Sequence, residues 1–272
     1  RILMLNWHKE TVINHIFNKY LFLRKHTYIL FLSIPWYNLL QMLELKNLSY
    51  KVTGGSRAKI LDHISLRIKK GSFTVITGPN GSGKSTLADM ILGIKTPTAG
   101  KILLDGEEIT NQTITERAKN IAYSFQQPAK FKGITVYDLL NIASGELIAP
   151  EEAGSHLKNV GLNPVDYLTR EINDKLSGGE LKRIEIASVL ARPAKLIIFD
   201  EPEAGIDLWS FDNLIKIFKK LKKEQKTIII ISHQEKILKL ADEIIILDNG
   251  KIKEKGTPSV LLKTITGENH GA

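Results

Sequence analysis

Apolar and polar positions alternate from 43 to 50, and again over Ile64-Ser65-Leu66-Arg67-Ile68. Period two marks strands with one buried face. Phe73-Thr74-Val75-Ile76-Thr77 is mostly apolar and runs into Gly78, while Lys101-Ile102-Leu103-Leu104 leads into the turn pair Asp105-Gly106. Two runs, Leu196-Ile197-Ile198-Phe199 and Ile228-Ile229-Ile230-Ile231, are apolar without interruption. A strand with no polar face fits a parallel sheet covered by helices on both sides. The stretch from Glu243 closes on Asp248-Asn249-Gly250, a hairpin-turn signal. Helical spacing falls between these runs, at 85–92, 136–142, 177–190 and 210–223. The order predicts an α/β fold with a parallel core sheet, an antiparallel β subdomain in front and a helical insert at about 130–190. No internal repeat interrupts it.

The first 41 residues do not follow this pattern. They carry Tyr20-Leu21-Phe22-Leu23, Tyr28-Ile29-Leu30-Phe31-Leu32 and Trp36-Tyr37. The uncharged run from His26 to Leu43 reaches the lower edge of membrane-spanning length but contains His26, Pro35, Asn38 and Gln41. Residues 1–41 are expected to be an apolar extension outside the folded domain, with the domain occupying 42–272. Of the formal net charge of +9, the extension's five basic residues and one acid supply +4. The remaining excess is modest. It suits phosphate-bearing ligands. Without an aromatic-interleaved basic stripe it does not point to nucleic acid, and Lys219, Lys220, Lys222 and Lys223 read as the polar end of a helix. An ordinary 43% hydrophobic and 25% charged composition excludes collagen-like, wholly disordered and polytopic membrane classes. There is no cysteine. This removes disulfides, thiolate metal sites and a cysteine nucleophile, and it fits a reducing, cytoplasmic setting.

Three motifs carry chemistry. Gly78-Pro79-Asn80-Gly81-Ser82-Gly83-Lys84-Ser85-Thr86 fits the phosphate-loop pattern and sits between an apolar strand and a helix. Its glycines let backbone N–H groups turn toward a phosphate, and the following helix presents its positive end to the same anion. Lys84 would reach the outer phosphates and Ser85 would bind Mg²⁺. At the end of a buried strand, Asp200 and Glu201 reach the edge of the sheet where ligands of α/β folds bind. Strand alternation would point them to opposite sides, with Asp200 on Mg²⁺ and Glu201 on the attacking water. Ser177-Gly178-Gly179-Glu180 reads as a capping box. Its paired glycines also leave N–H groups bare for a second anion contact.

Walker A at 78–85, Leu176-Ser177-Gly178-Gly179-Glu180 and Walker B at 196–201 stand in the order of an ABC-type ATPase, and the chain resembles that family over nearly all of 43–262. The resemblance implies the P-loop ABC ATPase fold, with ATP and Mg²⁺ as ligands. It further implies a Q-loop glutamine at Gln126 touching Mg²⁺ and water, a D-loop aspartate at Asp207, a switch histidine at His233 and an adenine-stacking ring at Tyr50. It also implies a head-to-tail pair, in which Ser177, Gly178 and Gly179 of one copy close over ATP held by the other. Within the family, Ser-Gly-Gly-Glu-x-Lys-Arg-x-Glu-Ile at 177–186 is similar to SufC, the ATPase of iron–sulfur cluster assembly, whose partner would be a SufB-like scaffold. Gln126-Gln127-Pro128 and 233–238 look like the same group. Pro202-Glu203-Ala204 departs from it. The competing expectation is the nucleotide-binding subunit of an ABC transporter, with a membrane subunit as partner.

Overall fold

The computed structural model describes residues 40–52, 59–128, 131 and 133–266. The aromatic N-terminal runs therefore lie outside the described residues. Strands β1 (Gln41–Lys51) and β2 (Lys59–Lys69) pair antiparallel at the front. The core begins with β3 (Phe73–Thr77), which feeds helix α1 (Lys84–Leu92). Strands β4 (Ala99–Leu104) and β5 (Glu107–Glu108) complete the front sheet, in the order β2-β1-β4-β5. Helix α2 (Ile114–Arg117) precedes β6 (Ile121–Ser124). Four helices follow: α3 (Val136–Ser144), α4 (Pro150–Asn159), α5 (Pro164–Tyr167) and α6 (Gly178–Ala191). The chain then returns through β7 (Leu196–Asp200), α7 (Leu208–Lys223), β8 (Thr227–Ile231), α8 (Glu235–Leu238), β9 (Glu243–Asp248), β10 (Lys251–Gly256) and α9 (Pro258–Thr266).

The core sheet runs β10-β9-β3-β8-β7-β6, parallel throughout except for β10. Its unbroken apolar strands divide strictly between two cores. Phe73, Val75, Ile197, Phe199, Ile228 and Ile230 face the layer containing α6 and α7. Ile76, Leu196, Ile198, Ile229 and Ile231 face α1 and the front sheet. Both faces are buried, so alternation survives in space while it vanishes from the polarity pattern. Each such side chain contributes roughly 1.5–3 kcal/mol by leaving water. Phe218 of α7 meets Phe73 and Phe199 edge-on, with ring centroids 6.0 and 5.2 Å away.

Strand β1 departs from its expected half-buried alternation. Residues 41–45 are all buried, Glu44 included. β1 lies between β2 and β4, and Arg67 Nε donates to Glu44 Oε1 at 2.6 Å, which satisfies the buried carboxylate. Register breaks between Leu45 and Leu48, where Asn47 takes a left-handed φ of 49°. The hairpin between β9 and β10 turns on Asn249 and Gly250, both left-handed, as its sequence predicts.

Candidate functional site

Strands β3, β8, β7 and β6 are consecutive in the sheet and parallel, so all four deliver their next residues to one edge. From β3 comes the loop 78–83, and from β8 comes Ser232-His233. From β7 comes Asp200-Glu201, and from β6 comes Phe125-Gln126. Residues spread over 156 positions of sequence thus meet at one place because the topology aligns their strand ends.

The loop is shaped for close backbone approach. Gly78, Gly81 and Gly83 have φ of 142°, 80° and 100°. A Cβ on Gly78 would sit 1.9 Å from the Leu247 carbonyl oxygen, so no other residue fits. Lys84 is buried, and its Nζ donates to the carbonyls of Gly78 and Pro79 at 2.8 and 3.0 Å. Burial pulls its pKa down, against the opposing charges of Glu201 and Asp200. Helix α1 has no acidic residue in its first turn, which leaves its positive end open to an anion.

Asp200 is buried at the end of β7, and its Oδ2 accepts the Tyr123 hydroxyl at 2.9 Å. Burial raises its pKa, with the neighbouring Glu201 charge acting in the same direction and the Tyr123 bond opposing. The Ser85 hydroxyl also acts on this carboxylate, yet Oδ1 is buried without a well-formed hydrogen bond. An orphaned carboxylate oxygen beside a hydroxyl fits a divalent cation. Among the described residues no group of three or more acidic or histidine side chains gathers to hold a metal. The Asp200 carboxylate beside the Ser85 hydroxyl suits Mg²⁺, which takes one or two protein oxygens and completes its shell with phosphate and water.

Asp200 and Glu201 have separate partners, but the strand pleat does not extend to Glu201. Strand β7 ends at Asp200, and Glu201 takes a left-handed φ of 44° while its N–H bonds the Ile231 carbonyl. This kink, not the pleat, aims its carboxylate. Gln126 Nε2 donates to Glu201 Oε2 at 2.6 Å, and His233 Nε2 lies 3.4 Å from Oε1. The three residues singled out for the hydrolytic step therefore share one carboxylate.

Ser177, Gly178, Gly179 and Asp207 form a second group. Ser177 caps α6 by accepting from the Glu180 N–H at 3.2 Å, and Glu180 Oε2 accepts from the Ser177 N–H at 2.7 Å. Glu180 also takes the Tyr167 hydroxyl. That bond and the Ser177 N–H hold its pKa down to about 2. Asp207 caps α7 through Ser210, and a Cβ on Gly179 would lie 3.6 Å from Asp207 Oδ2. Gly178 and Gly179 have no left-handed φ, so their backbone could carry any residue. Tyr50 is half-buried on β1 opposite Leu61, the side chain that leans on Gly83 of the phosphate loop.

Three features escaped sequence reasoning. The Tyr123 hydroxyl supports Asp200, and nothing along the sequence pairs positions 77 apart. Glu203 is largely buried and accepts from Ser232, the residue before His233; burial pushes its pKa up. Its position beside Pro202 was visible only as an oddity of the motif. Lys182 and Glu185 of α6 both reach Phe125.

The family model described as ABC transporter matches residues 61–204. An uncharacterized ABC transporter ATP-binding protein of Methanocaldococcus jannaschii is 39% identical over 209 residues, covering 74% of this chain and 84% of that protein. The energy-coupling factor transporter ATP-binding protein EcfA of Pediococcus pentosaceus is 38% identical over 226 residues, covering 80% of this chain and 79% of that protein. Among solved structures, a dimeric post-hydrolysis state of the ATP-binding cassette MJ0796, bound to ADP and Pi, superposes with a TM-score of 0.72 at 26% identity. That match covers 80% of this chain and 99% of the other.

Proposed function

The chain belongs to the ABC transporter family of ATPases, and from that premise we propose that it is the nucleotide-binding subunit of a transporter, working as an ATP-dependent dimer against a membrane partner. It has the P-loop fold of that family and is an ATPase that uses ATP with Mg²⁺. The transporter reading is preferred over iron–sulfur assembly because the relatives above carry transporter names. Among the described residues no helix is long and apolar enough to cross a membrane.

The observation that carries hydrolysis is the Glu201 carboxylate held between Gln126 and His233 at the sheet edge that also presents Lys84 and Asp200. Lys84 and the amides of 78–86 hold the phosphates, with Asn80, Ser82 and Thr86 in the same cradle. Ser85, Asp200 and Gln126 would hold Mg²⁺, which when bound would neutralise charge on the phosphate oxygens. Glu201 orients the attacking water and draws its proton; Gln126 and His233 fix the direction in which that carboxylate points. His233 stabilises the γ-phosphate end. Tyr50 supports the adenine. Ser177, Gly178 and Gly179 of a second copy close the site, with Asp207 at that junction. ATP then joins two copies head to tail, and its hydrolysis parts them.

Glu201→Gln tests this. Nucleotide binding should persist, turnover should fall by about 10²–10⁴-fold, and the dimer should accumulate with ATP. Unchanged turnover would refute the assignment. Affinity purification from detergent extract should bring down a multi-span protein. A second reading, a SufB-like soluble scaffold as partner, rests on Lys182 and Glu185 in the pattern shared with SufC. Recovery of that scaffold without detergent would replace the transporter reading.

A further inference from the structure

Phe125 is the first residue beyond β6, an edge strand, and its side chain is half-exposed. The main-chain groups of such a residue would ordinarily be left to water. Here both are taken by side chains one turn apart on α6. The Phe125 N–H donates to Glu185 Oε1 at 2.7 Å, and the Phe125 carbonyl accepts from Lys182 Nζ. Lys182 is 1% exposed, which is costly for an ammonium unless it is fully paired. It also reaches Ser124 Oγ at 3.3 Å and Glu185 Oε2 at 3.0 Å. The ion pair therefore closes a ring around the main chain of a single residue, Phe125.

The segment so held continues in both directions to the Walker B acids. Two residues back, Tyr123 donates to Asp200 and meets the Phe125 ring edge-on at 4.7 Å. One residue on, Gln126 donates to Glu201. At the other end of the linkage, Lys182 and Glu185 lie within two turns of Ser177-Gly178-Gly179 at the start of α6. A rigid helix thus has its anion-facing end and its grip on Phe125 on one body.

We propose that Lys182 and Glu185 are positioning residues that tether Phe125 to α6, so that the seating of the Ser177–Gly179 end sets where Gln126 holds Glu201. This rests on the ATPase reading above and adds an intrachain route between its two groups of site residues. Neither residue touches the nucleotide; both act through Gln126. The ring makes the route specific. Losing the N–H acceptor frees one side of Phe125, and losing the ammonium frees the other.

The test is a double-mutant cycle on the full chain, reading kcat and nucleotide affinity separately. Glu185→Ala should lower kcat by about tenfold with nucleotide Kd changed less than about twofold, the signature of misplacement and not of lost binding. Glu185→Gln, which keeps an acceptor for the Phe125 N–H, should recover most of that loss. On a Gln126→Ala background, Glu185→Ala should cost less than about twofold further. Should Glu185→Ala fail to fold, the double change Lys182→Met with Glu185→Gln replaces the buried pair by a neutral one, and its kcat loss should likewise vanish on the Gln126→Ala background. Full kcat in either variant, or losses that multiply with Gln126→Ala, overturns the tether. An unaltered chain without Mg²⁺-ATP hydrolysis would instead overturn the ATPase reading itself.

Discussion

Replacing Arg117 by methionine should be among the most destabilising single changes outside the hydrophobic cores. The guanidinium is 2% exposed and finds four main-chain carbonyls. Nη1 donates to Met90 and Ile91 at 2.6 and 3.0 Å, Nη2 to Thr110 at 2.7 Å and Nε to Gln112 at 3.1 Å. Met90 and Ile91 end α1, which has no basic residue in its own last turn, so Arg117 supplies the positive charge that the helix terminus favours. Methionine would fill the space and remove every donor. The Met90 carbonyl would keep the Gly93 N–H, leaving three carbonyls without the guanidinium. At about 1 kcal/mol for each orphaned acceptor and about 0.5–1 for the lost charge at the helix end, the gross cost is roughly 4 kcal/mol. Burial pulls the Arg117 pKa down, which marks a desolvation cost that methionine would not bear, so the net loss should be about 3 kcal/mol. With a urea m-value near 3 kcal/mol/M, the unfolding midpoint should drop by about 1 M. Arg117→Lys, with charge but no fork, should fall between. ATP affinity under native conditions should change less than about threefold, because the helix-end effect fades within one turn and the phosphate loop is at the far end of α1. A midpoint shift below about 0.3 M would refute the carbonyl accounting.

The capping and phosphate roles of 177–179 separate cleanly in Gly178→Ala. A Cβ there meets only the Gly205 carbonyl oxygen, at an ordinary 3.6 Å. Thermal stability should therefore hold or rise by up to about 1 kcal/mol from helix propensity, while ATP-dependent dimerisation and turnover fall; full turnover would leave the glycine pair with a capping role alone. Tyr123→Phe removes the donor that orients Asp200 and should weaken Mn²⁺ binding, read by electron paramagnetic resonance, by about tenfold; unchanged binding would release Tyr123 from that role. Glu180 has a folded pKa of about 2 against an ordinary 4.5, so its stabilisation is full above about pH 4.5 and disappears as pH falls toward 2. The stability gap between the native chain and Glu180→Gln, followed by chemical denaturation, should be widest near neutral pH and close toward pH 2. A gap independent of pH would refute the assigned bonds.

How legible the molecule was depended on what each position must satisfy. Strands β3, β7 and β8 are written plainly because burial on both faces leaves mostly apolar residues there, and the phosphate loop because its left-handed glycines are strained positions for other residues and Gly78 and Gly83 have no room for a Cβ. Strand β6 is four residues long at the sheet edge, and β10 is nearly all charged or exposed, so burial left too little pattern in either to read as a strand. The identity of Asp200 and Glu201 was legible, but the geometry that separates them was not. The pleat does not extend to Glu201, because β7 ends at Asp200 and Glu201 itself is left-handed, and a φ of 44° leaves no mark on a one-dimensional sequence. The Phe125 ring illustrates the same limit. Lys182 and Glu185 stand out along α6 as charges and as members of the 177–186 pattern, but a main-chain N–H and carbonyl 57 to 60 positions away carry no residue type to match. Side chains that grip backbone are invisible to sequence reading in general, since any residue could occupy the gripped position. They are also the contacts through which a helix can move a catalytic loop without changing any residue that touches substrate. The parts of this site most easily read from its sequence are therefore those that bind phosphate, and the parts that would time its use are those that only the fold brings into contact.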